Sequence, residues 1–311
     1  MIGLLGEVGK RLLDKWLTLL VIPGLLFVGT AAAGIQLGHV HALDAPALSR
    51  WITTRLESSH PDNTGAALLA IVAVGLAAAG AGLCAAALGR LISVLWALPA
   101  SRGPIGLLTR RRRDRWNEAN AAVTAAVTAS ITGAAPQALA TALAARDKIS
   151  LTEPTRPSWT GDRLSAPASR VRTAYGLDLG AVWPRLWLLL PDATRTELLA
   201  AHTAYTSATR LSGWAIIYAL LTPFWWPAVP VALVTALAAH LQTRAAAETL
   251  ADLTESAVDL YAPDLASQLG LATVRPFPSA AGFEVTAALR KDLLHPPAPE
   301  AESLRSRRRL P

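Results

Sequence analysis

The sequence predicts a mainly α membrane protein, and three observations carry that expectation. The run AALLAIVAVGLAAAGAGLCAAALG, Ala66 to Gly89, holds no charged side chain. As a helix rising about 1.5 Å per residue it reaches about 36 Å, enough to cross a hydrocarbon core of about 30 Å. Residues 16–38 and 211–243 also lack Asp, Glu, Lys and Arg. The basic block Arg110, Arg111, Arg112, Arg113 then follows the long run, on the side where Lys and Arg are retained, the cytoplasmic one. Composition agrees: of 311 residues 52% are hydrophobic and only 16% charged, where soluble chains carry about a quarter.

Residues 1–15 place Leu4, Leu5, Val8, Leu12 and Leu13 at helical spacing, with charges opposite. They read as an amphipathic lead-in lying in the membrane interface. Residues 16–38 read as the first transmembrane helix. A cleaved signal peptide is the competing reading, on the Ala31-x-Ala33 pattern, but the uncharged stretch exceeds a signal core of about 7–15 residues. Gly34 and Gly38 form a GxxxG, and the second run carries Gly75, Ala79, Gly82 and Ala86. Such small faces let helices approach closely, either against each other or in self-association. Residues 39–65 form an external loop in which Ala47–Leu56 makes a short amphipathic helix. Residues 66–98 form the second transmembrane helix with an interfacial extension past Arg90.

Residues 99–210 read as a cytoplasmic helical domain. Helices are expected over Trp116–Ile131 and from Pro136 to about Lys148, with a loop at 152–161 broken by Pro154, Pro157 and Gly161. Asp162 is expected to cap the next helix, leaving Arg163, Arg170 and Arg172 exposed. The apolar Leu186–Leu190 run is too short to span, so it is buried in the domain or pressed into the interface, with Trp183 and Trp187 on one face. Asp192 caps a helix towards Thr209. Residues 211–243, divided by Pro223, Pro227 and Pro230 around Phe224, Trp225 and Trp226, read as a hydrophobic hairpin of two short or re-entrant spans, against one long kinked span. Residues 244–295 form a cytoplasmic C-terminal helical region, and 296–311 a disordered basic tail.

Charge chemistry points away from catalysis. The single cysteine, Cys84, excludes an intrachain disulfide and thiolate zinc sites. Six histidines show no metal-ligand spacing, no nucleophile–base pattern stands out, and no cofactor is expected. Glu248, Asp252, Glu255 and Asp259 are spaced four, three and four, so they fall on one helix stripe. Pairing with the Arg segments at 110–115 or 163–172 competes there with a docking face and with a divalent cation site. The net charge of +7 raises nucleic acid as a partner, but the Arg110–Arg113 block beside a span makes the anionic inner leaflet the nearer one, as a lipid anchor. No charge sits mid-span, which argues against ion-coupled transport.

The blocks PTRPSWTGDRL, Pro154 to Leu164, and SRVRTAYGLDLGAVWPRLWLLLPD, Ser169 to Asp192, resemble a group of uncharacterised actinobacterial multi-pass integral membrane proteins. The likeness covers about 40 residues closely. It implies a bacterial cytoplasmic-membrane protein with both termini cytoplasmic, and no particular activity. It singles out Arg156, Gly161, Asp162, Arg163, Tyr175, Asp178, Arg185 and Asp192, read as ion pairs fixing a docking surface or as a purely structural network. The expectation is therefore a non-enzymatic, oligomeric membrane protein presenting a cytoplasmic docking surface to a protein partner. The alternative is a channel or passive transport subunit formed by oligomerisation.

Overall fold

A computed structural model of the chain describes residues 21–57, 64–99, 103–131, 136–271 and 277–291. The lead-in at 1–15, the first residues of the 16–38 run and the tail at 296–311 lie outside these. The described residues form ten helices and no strand. In chain order they are α1 (Ile22–Leu37), α2 (Ala45–Glu57), α3 (Thr64–Ala97), α4 (Gly103–Ile131), α5 (Pro136–Asp147), α6 (Trp159–Tyr175), α7 (Leu179–Leu189), α8 (Asp192–Leu221), α9 (Ala228–Gln268) and α10 (Ser279–Arg290).

Among the described residues one helix, Ala67–Ala97 within α3, is long and apolar enough to cross a membrane, and only 11% of its apolar window is buried. Several helices run further than their sequence pattern suggested. The expected helix at 116–131 starts thirteen residues earlier, at Gly103, with Pro104 in the first turn where its missing N–H costs nothing. The Arg110–Arg113 block is therefore helical. The expected break at 210 is absent, and α8 runs on to Leu221. Past the turn at 222–227, α9 continues unbroken from Ala228 through the acidic stripe.

The chain divides into two compact units. The first holds the described residues up to Trp96 with Ala204–Ala245; the second holds Ala97–Thr203 with Ala246 onward. Their interiors differ in kind. The second unit buries Val171, Leu177, Val182, Leu186, Leu190, Val258 and Val285, with alanines such as Ala166, Ala257 and Ala266 between them. The Leu186–Leu190 run thus splits, with both ends buried and Leu188 exposed.

The first unit has a smaller core, Trp214 and Ile217 with Phe27 and Tyr218 packed against them. It buries Ala78, Ala85, Ala228, Ala232 and Ala239 together with Gly24, Gly82, Gly89 and Gly213. Its surface carries Leu68, Leu69, Ile71, Leu220, Leu233 and Leu237. Small residues between helices and large apolar ones outside are what helices in lipid show. Glycine is required where helices touch most closely. A Cβ on Gly24 would meet the Ala78 carbonyl, and one on Gly213 the Ala85 carbonyl. The GxxxG at 34 and 38 meets the α8–α9 turn first. Gly34 lies against the Trp225 ring, and Gly38 ends α1 at φ 59°. Trp225 Nε1 donates to the Ala42 carbonyl at 3.0 Å, and His39 Nε2 to the Pro223 carbonyl at 2.7 Å. The α1–α2 loop and the α8–α9 turn are thereby clasped at one end of this unit.

Candidate functional site

The charges singled out in the sequence converge, in part, on α6 and the adjoining stretch of α9. Both helices are amphipathic there, so their polar faces meet beside the apolar cluster of Val171, Leu186 and Val258. Arg163, only 6% exposed, pairs with Asp252. Its burial corrects the expectation of an exposed arginine. Arg170 Nε lies 2.8 Å from Glu255 Oε1. Tyr175 bonds Asp259, and burial first, then that carboxylate, pushes its phenol above the ordinary range. Three members of the acidic stripe are thus engaged by α6, in the same order along both helices. Glu248, the fourth, lines an open cleft of about 390 Å³ with Asp147, Arg163 and Asp252.

Asp162 is the centre of a second cluster. It does not cap α6; Ser158 does, accepting from the Gly161 N–H at 3.0 Å. Asp162 lies in the first turn of α6, four residues after the cap, and its carboxylate reaches back to the 150–158 segment. Oδ1 accepts from the N–H groups of Thr155 and Arg156 at 3.0 and 2.9 Å. Oδ2 pairs with Arg112 Nη1 at 2.9 Å, and Asp162 is only 2% exposed. Arg112 also donates to the carbonyls of Ile149 and Arg156, while Arg113 pairs with Glu153 at 2.8 Å. Two of the four arginines assigned to lipid anchoring are therefore engaged within the second unit. Adjacent helix positions point about 100° apart, so Arg110 and Arg111 turn outward and are exposed.

The remaining candidates stay local. Arg185 Nη1 donates to the Ala181 carbonyl of its own helix. Asp192, in the first turn of α8, pairs with Arg195 three residues on. Neither joins the clusters around Asp162 and the α6–α9 stripe.

Asp178 is a site residue whose partner sequence reasoning missed. It caps α7 through the Gly180 N–H at 3.1 Å and pairs with Arg290 of α10. The cap is legible in Asp-Leu-Gly; a partner 112 residues away is not. The Arg290 hydrogen bond holds the Asp178 carboxyl below its ordinary 3.8. A depressed folded value adds stability above 3.8 that is lost as pH falls through the lowered one. Asp178→Asn keeps the cap and loses the pair. It is expected to cost about 1 kcal/mol at neutral pH and to shrink the stability lost towards about pH 3. Urea unfolding of the detergent-solubilised chain at both pH values checks this.

No family model, curated protein or solved structure matches the chain. Among the described residues no group of His, Cys, Asp and Glu is placed to hold a metal ion. The second unit instead offers an apolar groove of about 590 Å³, lined by Pro167, Trp183, Pro184, Trp187, Leu199 and Leu250. The two Trp rings stand 6.1 Å apart and form its wall.

Proposed function

We propose that the chain is a multi-pass, non-enzymatic membrane protein of the bacterial cytoplasmic membrane, whose second unit is a cytoplasmic docking platform. The observation that carries this is the apolar surface of the first unit: Leu68, Leu69, Ile71, Leu220, Leu233 and Leu237 face outward, while alanine and glycine line its helix contacts beside a small Trp214–Ile217 core. A surface of Leu, Ile and Val over four helices has no stable state in water, because about 1.5–3 kcal/mol is forgone for each large apolar side chain left wet.

The crossing elements are α1, α3 and the paired α8–α9 arms. The uncharged part of α9, Ala228–Thr243, is about 24 Å long. The clasp of the 222–227 turn to the α1–α2 loop supports a hairpin of full depth. Gly89 lies against Arg210, so Arg90 and Arg210 share a level at the unit's opposite end, the inner one by the positive-inside rule. Arg110 and Arg111 remain as contacts for an anionic leaflet. The groove walled by Trp183 and Trp187 fits an amphipathic helix of a protein partner, read by apolar anchors.

Alkaline carbonate washing of membranes from cells making the full chain is the test. The protein is expected to stay in the pellet until detergent is added; release by carbonate would end the proposal. For docking, a photo-crosslinking residue at Leu199, on the groove, is expected to give one discrete adduct that the same residue at the exposed Leu260 does not.

A further inference from the structure

Within the first unit, α3, α8 and α9 leave a crevice of about 420 Å³ whose two ends differ in chemistry. α8 and α9 run in opposite directions there, so Ser212 and His240 lie at one end with Trp96 of α3. Ala219, Ala232 and Leu233 line the other end. Seven residues separate Ser212 from Ala219, so the trough is about 10 Å long. Ala215, Ala219, Ala232 and Ala236 leave the space between bulkier walls, and the lining Leu233 is 65% exposed, so the trough opens on the unit's apolar surface.

Charge follows the same gradient. Arg244 is one helical turn beyond His240 on the same face of α9. Arg90, two positions before the crevice-lining Ile92, is exposed on another face of α3. The polar end is thus cationic and aromatic, and the other end is wholly apolar. Trp is favoured at headgroup depth, and arginine there meets phosphate.

We propose that this crevice is a binding site for one anionic phospholipid, which lays an acyl chain along the alanine trough and sets its phosphate against Ser212 and His240. The Ser212 hydroxyl and one imidazole N–H donate to the phosphate oxygens, and the positive charge of Arg244, one turn beyond His240, favours an anionic lipid. The proposal rests on the membrane reading above and adds to it the identity and position of a lipid partner.

The test is native mass spectrometry of the full chain, released from detergent after incubation with phosphatidylglycerol or phosphatidylcholine. One phosphatidylglycerol is expected to stay bound and phosphatidylcholine to be lost. His240→Ala is expected to weaken retention about tenfold, the loss of one charge-assisted hydrogen bond. Ala219→Phe, at an exposed position on the trough, is expected to abolish it, and Leu237→Ala, exposed on α9 outside the trough, to leave it unchanged. Glycerol phosphate without acyl chains is not expected to displace the lipid. Equal retention of both lipids, unchanged retention in His240→Ala and Ala219→Phe, or displacement by glycerol phosphate would each overturn the proposal. Carbonate washing of the same variants separates the two ideas: a protein that stays in the membrane but shows no selective lipid sinks only the lipid site.

Discussion

Asp162→Ala is expected to cost the second unit about 3–5 kcal/mol, a large fraction of the stability of an ordinary domain. The carboxylate is buried and serves three donors at once: the Thr155 and Arg156 N–H groups and the Arg112 guanidinium. Alanine leaves two backbone donors and a largely buried cation without it. Asp162→Asn keeps an acceptor oxygen for the two N–H groups, so its loss is expected to be smaller. Arg112→Met in the Ala background is expected to restore part of the loss, because the orphaned charge then leaves with its partner. Denaturant unfolding followed by Trp fluorescence reads all three. An Ala variant as stable as the wild type would mean that Asp162 organises nothing. Its titration also runs opposite to that of Asp178. Burial raises the Asp162 carboxyl above 3.8 against the pull of its N–H donors and Arg112. A raised folded value contributes stability below 3.8 that is lost as pH rises through it. Taken alone, mild acid therefore favours this cluster while it weakens the Asp178–Arg290 pair.

Gly213→Leu is the second large effect. Any side chain there drives into the Ala85 carbonyl across the α3–α8 contact, and a backbone carbonyl cannot turn aside. Overpacking of this kind costs about 1–3 kcal/mol, and more where the helices must part. The expected result is a protein that inserts but unfolds early in a sodium dodecyl sulfate titration. Gly80→Leu, on α3 with nothing near its absent side chain, is expected to unfold with the wild type. A shift to smaller size by Gly80→Leu in crosslinked membranes would place self-association on that face; identical sizes would remove Gly80 from it.

The helical class and the long apolar run were legible because hydropathy is a local property: Ala66–Gly89 announces itself. The acidic stripe was legible for the same reason, since spacings of three and four put Glu248, Asp252, Glu255 and Asp259 on one face. Its partners were not, because Arg163 lies 89 residues from Asp252 and nothing local links them. The Arg block misled through its density. Four consecutive arginines look like one patch, but a helix splits them, and Arg112 and Arg113 turn to the carbonyls of the 149–156 segment while Arg110 and Arg111 stay exposed. Gly34 and Gly38 misled in another way. The motif announces a close approach without naming the neighbour, which for Gly34 is an indole ring and not a helix.

The glycine contacts and apolar surface of the first unit bear on how such a chain can drift through evolutionary time. Outward positions such as Leu69, Leu233 and Leu237 require only greasiness, so relatives are expected to exchange Leu, Ile, Val and Phe there freely. Inward positions such as Gly24, Gly89 and Gly213 tolerate nothing bulkier and are expected to stand still. In the second unit the tempo inverts, with Leu177 and Leu186 held fixed while the rind changes, so a set of orthologues would carry two opposite clocks within a single gene.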